Sequence, residues 1–191
     1  LLKSSMFIIK NNYYLYIDNT CSIDLDAHRK NNKISIIYRN NGVAESYTKL
    51  DKFRKKCRVK NFKFYVANDY NIAKYFKADG LYLSSYNKKI YPNQSRNLIG
   101  SAHNFKEIYQ KIKQGCNTII LSRLFKTSYK NKKSNIGIVK FNLIIKNYLT
   151  KIAPLGGINN NNLLKLNLVN SDGLCLLSEI KKKPAISNRL F

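Results

Sequence analysis

The chain has 191 residues, of which 35 are Lys or Arg and 10 are Asp or Glu, so its formal net charge is +25. Hydrophobic residues make up 44% of the chain and aromatic residues 12%, which is enough for one sizeable core and excludes wholesale disorder. The length predicts a single domain over residues 1–191, because two domains would be cramped.

The first apolar run of the chain, Met6–Ile9, is much shorter than the ~20 residues of a transmembrane helix. One charged residue, Lys3, precedes this run, and the run is too short for a signal peptide. The sequence therefore predicts no membrane span and a cytoplasmic location.

The positive charge is a weak indicator of nucleic-acid binding in this chain. It comes from 28 Lys and 7 Arg, and 26 Asn and 22 Ile accompany the Lys residues. Lys, Asn and Ile share A/T-rich codons, so a base-composition bias would raise all three together. Arg, which makes bidentate contacts with phosphate and guanine, is scarce. We therefore expect small-molecule partners rather than nucleic acid.

The four cysteines, Cys21, Cys57, Cys116 and Cys175, include no Cys-x-x-Cys pair. This spacing excludes a conventional zinc module and does not indicate a disulfide framework. We expect free thiols.

Eight short segments are predicted to be β-strands because they are rich in β-branched and aromatic residues and most are followed by turn residues. In chain order they are Tyr13–Asp18, Ile34–Tyr38, Phe62–Ala67, Gly80–Leu83, Asn97–Gly100, Thr118–Leu121, Lys151–Leu155 and Gly173–Leu177. The segments between them that can be helical are Glu45–Cys57, Asn71–Phe76, Asn104–Gln114, Ile138–Leu149 and Asn160–Val169.

This alternation of strands and helices predicts βαβ units and a parallel sheet. A faint internal repeat supports the prediction, because Ala78–Ser84 resembles Ser171–Ser178. Eight strands in one domain favour an α/β fold of the (β/α)8 TIM barrel type in a short version, with a doubly wound open sheet as the alternative.

In such a barrel the chemistry lies where the strands end. Residues directly after or near predicted strand ends include Asp18, Arg39, Asn68, Asp69, Ser101, His103, Gly156, Gly157 and Ser178. The Gly156-Gly157 pair and Ser178 follow strands seven and eight, where barrels commonly bind phosphate through backbone N–H groups.

Seven short motifs occur in a fixed order along the chain. They are Ile36-Ile37-Tyr38-Arg39, Ala67-Asn68-Asp69, Ala78-Asp79-Gly80-Leu81-Tyr82-Leu83, Ser101-Ala102-His103-Asn104, Phe125-Lys126-Thr127-Ser128-Tyr129-Lys130, Leu155-Gly156-Gly157-Ile158 and Ser171-Asp172-Gly173. Each motif is weak by itself, but their order and spacing together resemble those of the thiamine phosphate synthase and thiazole tautomerase family. The resemblance covers about residues 13–179.

The resemblance implies a transferase of thiamine biosynthesis that uses Mg2+. It would join hydroxymethylpyrimidine diphosphate to hydroxyethylthiazole phosphate and release pyrophosphate. By position, Arg39, Asn68 and Lys130 would contact the diphosphate, and Asp69 and Asn87 would bind the metal. Thr127, Gly156, Gly157 and Ser178 would bind the thiazole phosphate, and Leu177 would be a further substrate-binding residue. Ser101 would lie beside the pyrimidine ring, and the catalytic group would comprise Arg39, Lys130, Ser101 and His103.

The chain also departs from the family pattern. Asn41 stands in place of a Lys, Tyr82 in place of a His, and Asn87 in place of a second magnesium carboxylate. An amide oxygen brings no charge, so we expect weaker magnesium binding. The replacements fall mainly on the diphosphate side.

Simpler roles and other functions stay open at this point. Asn68 and Asp69 could form a turn that caps the next helix, and His103 could help to cap the helix that begins near Asn104. A thiazole tautomerase would use His103 as its acid or base. A non-catalytic phosphate-ligand binder or a basic nucleic-acid binder is the third interpretation, and the sequence does not decide whether the chain forms a homo-oligomer.

Overall fold

The computed structural model describes residues 10–40, 42–43, 45–91, 97–127, 134–159 and 161–176. Its eight parallel strands are β1 (Asn12–Ile17), β2 (Ile34–Tyr38), β3 (Lys63–Ala67), β4 (Gly80–Leu83), β5 (Asn97–Ala102), β6 (Thr118–Ser122), β7 (Lys151–Leu155) and β8 (Gly173–Leu176). The helices are α1 (Tyr47–Val59), α2 (Tyr70–Tyr75), α3 (Phe105–Lys113) and α4 (Ile138–Ile145), with 3-10 turns at Thr20–Ser22 and Leu164–Leu168. Within the described part of the chain, no helix is long and apolar enough to cross a membrane.

The strands form a ring in sequence order, and β1 closes it by pairing with both β2 and β8. Asn12 is aligned with Gly173 and Leu15 with Leu176 at this closure. The predicted (β/α)8 barrel is therefore confirmed, and the alternative open sheet is wrong.

Three predicted strands, β2, β4 and β7, have the bounds that the sequence predicts, and the described ends of the other strands match or differ by at most two residues. The helix predicted over Asn160–Val169 is wrong. A 3-10 turn over Leu164–Leu168 takes its place, with the Leu166 N–H bonded to the carbonyl of Leu163. Asn side chains compete with helical hydrogen bonds, and here Asn162 Oδ1 accepts from the N–H of Asn159 at 2.9 Å.

Strand side chains alternate between two apolar layers. The outer layer joins strand residues such as Ile34, Ile36, Val66 and Leu176 to helix residues such as Leu50. These four strand residues are buried against the helices. All four cysteines are free thiols, also as predicted, and three of them are buried.

The inner layer fills the barrel and is unusually rich in tyrosine. Its buried members are Tyr14, Tyr16, Ile37, Tyr65, Tyr82, Ile99, Ile120, Ala153 and Cys175. Burial raises the pKa of Tyr16 well above its ordinary value, and burial also raises the pKa of Tyr65 and Tyr82. The barrel interior is thus a packed core of neutral phenols.

We expect the free energy of unfolding to fall as the pH rises above about 10. Buried phenols have a raised pKa in the folded chain, so the unfolded chain releases these protons first. Their contribution is complete below the unfolded pKa and is lost as the pH rises towards the folded pKa, by at most about 1.4 kcal/mol per pH unit for each phenol. Urea unfolding of Tyr16→Phe from pH 8.5 to 11 should show a shallower decline than the wild type, on the same linkage argument.

Tyr75→Phe is the matched control, because the Tyr75 side chain is 66% exposed and lies outside the barrel interior. This variant should follow the wild-type decline. The interpretation fails if Tyr16→Phe and the wild type lose stability at the same rate.

Candidate active site

Closure of the barrel brings the carboxyl ends of all eight strands to one rim. Arg39 directly follows β2, Asn68 follows β3, and His103 follows β5. Gly156 follows β7, and Ser101 is the penultimate residue of β5. The described residues that the sequence predicts for the site therefore share this rim or lie near it.

The floor beneath the rim is built from hydroxyl groups. Tyr16 donates to the Tyr82 hydroxyl at 2.8 Å, and the two rings meet edge to face with their centroids 5.3 Å apart. The Ser101 side chain hydrogen-bonds to Tyr82 and is 9% exposed. Burial is the main reason that the pKa values of Tyr16 and Tyr82 are raised, and the positive charge of Arg39 opposes it at both. Arg39 and Ser101 are thus both coupled to this tyrosine pair.

One side of the rim is organised around Asn68. Its Nδ2 donates to Ser84 Oγ at 2.7 Å and to the Tyr86 hydroxyl at 3.1 Å. Its Oδ1 accepts from the Ser84 N–H at 2.9 Å and from Asn87 Nδ2 at 3.0 Å. We call Asn68, Ser84, Tyr86 and Asn87 the Asn68 cluster. It joins the end of β3 to the loop after β4.

These contacts occupy both donors and both acceptor positions of the Asn68 amide. The backbone of Asn68 is left-handed with φ of +58°, a conformation that Asn tolerates better than most residues. Asn68 therefore organises the loop after β4, and its predicted direct contact with a diphosphate would require these bonds to rearrange.

The two residues predicted to bind magnesium have other roles in this structure. Asp69 is the N-cap of α2, and its Oδ1 accepts from the Ile72 N–H at 2.9 Å. The simpler capping role is thus present. Asn87 Oδ1 accepts from the Lys89 N–H at 2.9 Å, and its amide nitrogen faces Asn68.

A protein-held magnesium site needs several oxygen ligands. Across the described ranges, no group of three His, Cys, Asp or Glu residues could hold a metal ion. One capping carboxylate and one engaged amide do not fit a resident metal.

The other side of the rim is built on the Gly156-Gly157 turn, where both residues have positive φ, at +101° and +70°. Phe125 N–H donates to the Gly156 carbonyl at 3.0 Å. A Cβ on Gly157 would lie 2.5 Å from the carbonyl oxygens of Phe125 and Lys126. Glycine is therefore required at position 157 for close packing of two backbones, in addition to any role in binding an anion.

This packing brings the segment that ends at Thr127 to the glycine turn. Thr127 Oγ1 accepts from Arg123 Nη1 at 3.3 Å. Of the other predicted binding residues, Lys130, Leu177 and Ser178 lie outside the described residues. Their roles stay predictions.

His103 is exposed at the rim, and its Nδ1 lies 2.6 Å from Ser122 Oγ at the end of β6. Its backbone N–H donates to Glu107 Oε2 at 2.8 Å, so the main chain of His103, rather than its ring, takes part in the start of α3. The imidazole is left to pair with a serine at the mouth of the barrel.

Sequence reasoning missed Ser84, Tyr86 and Ser122 as members of the site. Ser84 directly follows β4 and Ser122 ends β6, so the rule that sites lie at strand ends could have found both. Tyr86 had no such signal, since its hydroxyl reaches Asn68 from within a loop.

Comparison with known proteins gives the site its context. A profile of the family described as thiamine monophosphate synthase matches residues 25–180. A thiamine-phosphate synthase of Prochlorococcus marinus is 31% identical over 132 residues, which are 65% of this chain and 37% of that protein. The thiamine-phosphate synthase of Chlorobium phaeobacteroides is 24% identical over 134 residues, which are 66% of this chain and 64% of that protein. The chain thus spans less than two thirds of the length of either relative.

Solved structures agree with the fold. Thiamine phosphate pyrophosphorylase from Pyrococcus furiosus superposes with a TM-score of 0.72 at 18% identity, covering 94% of this chain and 91% of that one. A 3-hexulose-6-phosphate synthase from Salmonella typhimurium superposes with a TM-score of 0.66 at 11% identity, covering 93% and 94%. At these identities the structures support the barrel alone. Because the family profile covers well over half of its residues, the chain belongs to the thiamine monophosphate synthase family.

Proposed function

We propose that the chain is a cytoplasmic transferase that joins hydroxymethylpyrimidine diphosphate to hydroxyethylthiazole phosphate. The observation that carries the proposal is the shared rim, with Arg39 after β2, Ser101 bonded to Tyr82, the Asn68 cluster after β3 and β4, and the glycine turn after β7. Membership of the thiamine monophosphate synthase family supports it. The reaction needs two anion sites, and this rim offers a candidate position for each.

In the proposed reaction the carbon–oxygen bond between the pyrimidine methylene group and the diphosphate breaks. The electron pair leaves with pyrophosphate, and the lone pair of the thiazole nitrogen then forms the new carbon–nitrogen bond. The Arg39 guanidinium would stabilise the charge that develops on the leaving group, and by resemblance Lys130 would add a second cation. The oxygens of Ser101 and Tyr82 would face the pyrimidine cation as neutral dipoles, because burial keeps the Tyr82 pKa high.

Magnesium, which the family resemblance implies, would supply further charge for the diphosphate. Since the described residues offer Asp69 and Asn87 only in engaged positions, we propose that any ion arrives on the oxygens of the substrate. The role of this chain is then to bind the diphosphate through Arg39 and to keep the Asn68 cluster in place.

A second candidate function, thiazole tautomerase, is favoured by one observation. The short contact between His103 Nδ1 and Ser122 Oγ at 2.6 Å would orient an exposed imidazole for proton transfer. A tautomerase moves a proton within the thiazole phosphate and does not need the diphosphate side of the rim.

The two functions are separated by variants on opposite sides of the rim. For a synthase, Arg39→Gln should lower the rate of thiamine phosphate formation by about 10²–10³-fold, the usual loss for one electrostatic donor. His103→Ala should then cost less than Arg39→Gln. For a tautomerase, His103→Ala should lower the isomerisation rate by about 10²–10⁴-fold, as for a general acid or base. Both rates can be followed by chromatography of the products.

Asp69→Asn is the informative variant at the metal position, because Asn caps helices as well as Asp does and only the charge is removed. Because Asp69 Oδ1 caps α2 and the ion is proposed to arrive with the substrate, its turnover should need about as much magnesium as that of the wild type. The synthase proposal is wrong if the wild type forms no thiamine phosphate at saturating magnesium.

We expect Asn87→Asp to create a metal dependence that thermal unfolding can detect without turnover. The new carboxylate would face Asn68 Oδ1, which now accepts from Asn87 Nδ2 at 3.0 Å. Two facing acceptors should cost about 1–3 kcal/mol and lower Tm by several degrees, and millimolar Mg2+ should restore it. Asn117→Asp is the control, because the N–H of Leu98 already bonds to its oxygen at 3.0 Å. The prediction is contradicted if the Tm of Asn87→Asp does not change when magnesium is added.

On the phosphate side, Thr127→Val should raise the Kd of the thiazole phosphate by about tenfold to a hundredfold, the loss of one hydrogen bond to a charged group. Calorimetric titration with the thiazole phosphate measures this change. Gly157→Asp is a poorer probe, since any side chain there meets the backbone of Phe125 and Lys126. Unchanged affinity in Thr127→Val would remove this residue from the proposed site.

A further inference from the structure

Lys111 on α3 is completely buried, although lysine is rarely buried without a partner carboxylate. Its Nζ donates to the carbonyl oxygens of Ser84 and Asn87, both at 2.7 Å, and to Gln114 Oε1 at 2.9 Å. Three neutral oxygens thus match the three donors of an ammonium group. Burial lowers the pKa of Lys111, and the nearby Cys116 and Glu107 oppose this effect.

The surrounding structure is shaped to hold this side chain. A Cβ on Gly100 of β5 would lie 2.8 Å from Cγ and Cδ of Lys111, so glycine leaves the space in which the stem crosses the strand. Gln114, itself buried, donates to the carbonyls of Asn87 at 3.0 Å and Lys89 at 2.7 Å. Lys111 and Gln114 therefore fix the main chain of the loop after β4 from below.

The same loop carries the Asn68 cluster on its other side. Ser84 and Asn87, whose carbonyls Lys111 holds, bond to the Asn68 amide through the Ser84 main chain and hydroxyl and through Asn87 Nδ2. The Lys111 ammonium is thus connected to Asn68 by two routes, one through Ser84 and one through Asn87. Asn68 lies at the end of β3, beside Asp69.

We propose that Lys111 is a positioning residue, a built-in cation that preforms the Asn68 cluster, so that the Ser84 and Tyr86 hydroxyls, which accept from Asn68, can donate to the diphosphate of the pyrimidine substrate. The proposal rests on the proposed function for the identity of the ligand. The family resemblance leads us to expect a metal-binding carboxylate at position 87. This chain has the neutral amide of Asn87 there, and the Lys111 ammonium bonds to the main chain beneath it. The cation that orders this loop then belongs to the protein and is present before substrate binds.

Lys111→Met tests the proposal, since methionine fills much of the space of the stem but donates no hydrogen bonds. Lys113→Met is the matched control, because it removes a lysine from the same helix at an exposed position. Hydrogen exchange measured by mass spectrometry reports the loop, and calorimetry reports the Kd of pyrophosphate and, separately, of the thiazole phosphate.

For Lys111→Met we expect faster exchange over residues 84–89 and a Kd of pyrophosphate raised about tenfold, the effect of about one lost hydrogen bond. The Kd of the thiazole phosphate should not change, which distinguishes positioning from general loss of stability. Lys113→Met should behave as the wild type in all three measurements. In an Asn68→Ala background, Lys111→Met should have little further effect on pyrophosphate, because the two residues act through one loop.

The proposal is overturned if Lys111→Met leaves both the loop exchange and the pyrophosphate affinity unchanged, or if both ligands lose affinity equally. If this variant does not fold, Gln114→Leu replaces it, since it frees the Lys89 carbonyl and removes one of the three acceptors of Lys111 Nζ, and the same outcomes apply to it. Failure of the proposed function looks different. A wild type that forms no thiamine phosphate but binds pyrophosphate, with the expected Lys111 effects, would refute the synthase and keep the positioning role.

Discussion

Pairing of β1 with β8 is the constraint on which the rest of the structure depends. Without it the sheet would have two edges, and the strand ends would be spread along a line. With it the carboxyl ends meet at one rim, and residues far apart in the chain, such as Arg39, Ser101 and Gly156, share that rim. The same closure leaves a narrow interior, which tyrosine rings fill from four positions on three strands.

The sequence predicts the fold well because strand signals are local. Ile34–Tyr38 and Lys151–Leu155 are bounded by turn residues and alternate between two buried layers, so their bounds could be read directly. The structure of the segment after β7 could not be predicted in this way. Its Leu spacing indicates a helix, but its Asn side chains favour turns, and the structure has turns there. The residues at the rim could be predicted because they follow the strand ends. Their hydrogen-bond partners could not, because these depend on the conformations of the loops, which no periodic pattern in the sequence indicates.

Lys111 shows what a helical pattern can and cannot reveal. It lies three residues after the buried Ile108, on the face that packs against β5, whereas Phe105, the apolar residue three positions before Ile108, is 55% exposed. A polar residue on the buried face and a glycine at position 100 were both visible in the sequence. The sequence did not reveal that Gly100 leaves space for the Lys111 side chain. This contact joins a helix to a strand, and the carbonyl groups that Lys111 bonds belong to a third segment, so only the structure shows it. Burying an ammonium group costs desolvation, and we propose that in this chain it favours one conformation of the loop after β4 over the alternatives.

The packed pair of Tyr16 and Tyr82 gives this protein an optical property. The chain contains 14 Tyr and no Trp, so tyrosine dominates its aromatic absorption and emission. Tyr16 and Tyr82 are held at 5.3 Å and 82° in an asymmetric environment, which makes them strong contributors to near-ultraviolet circular dichroism, a signal that is lost when fixed packing is lost. Because Tyr82 also bonds to Ser101 at the base of the rim, a molecule that settles there would alter the same spectrum. The protein thus carries its own chromophore at the bottom of its proposed active site.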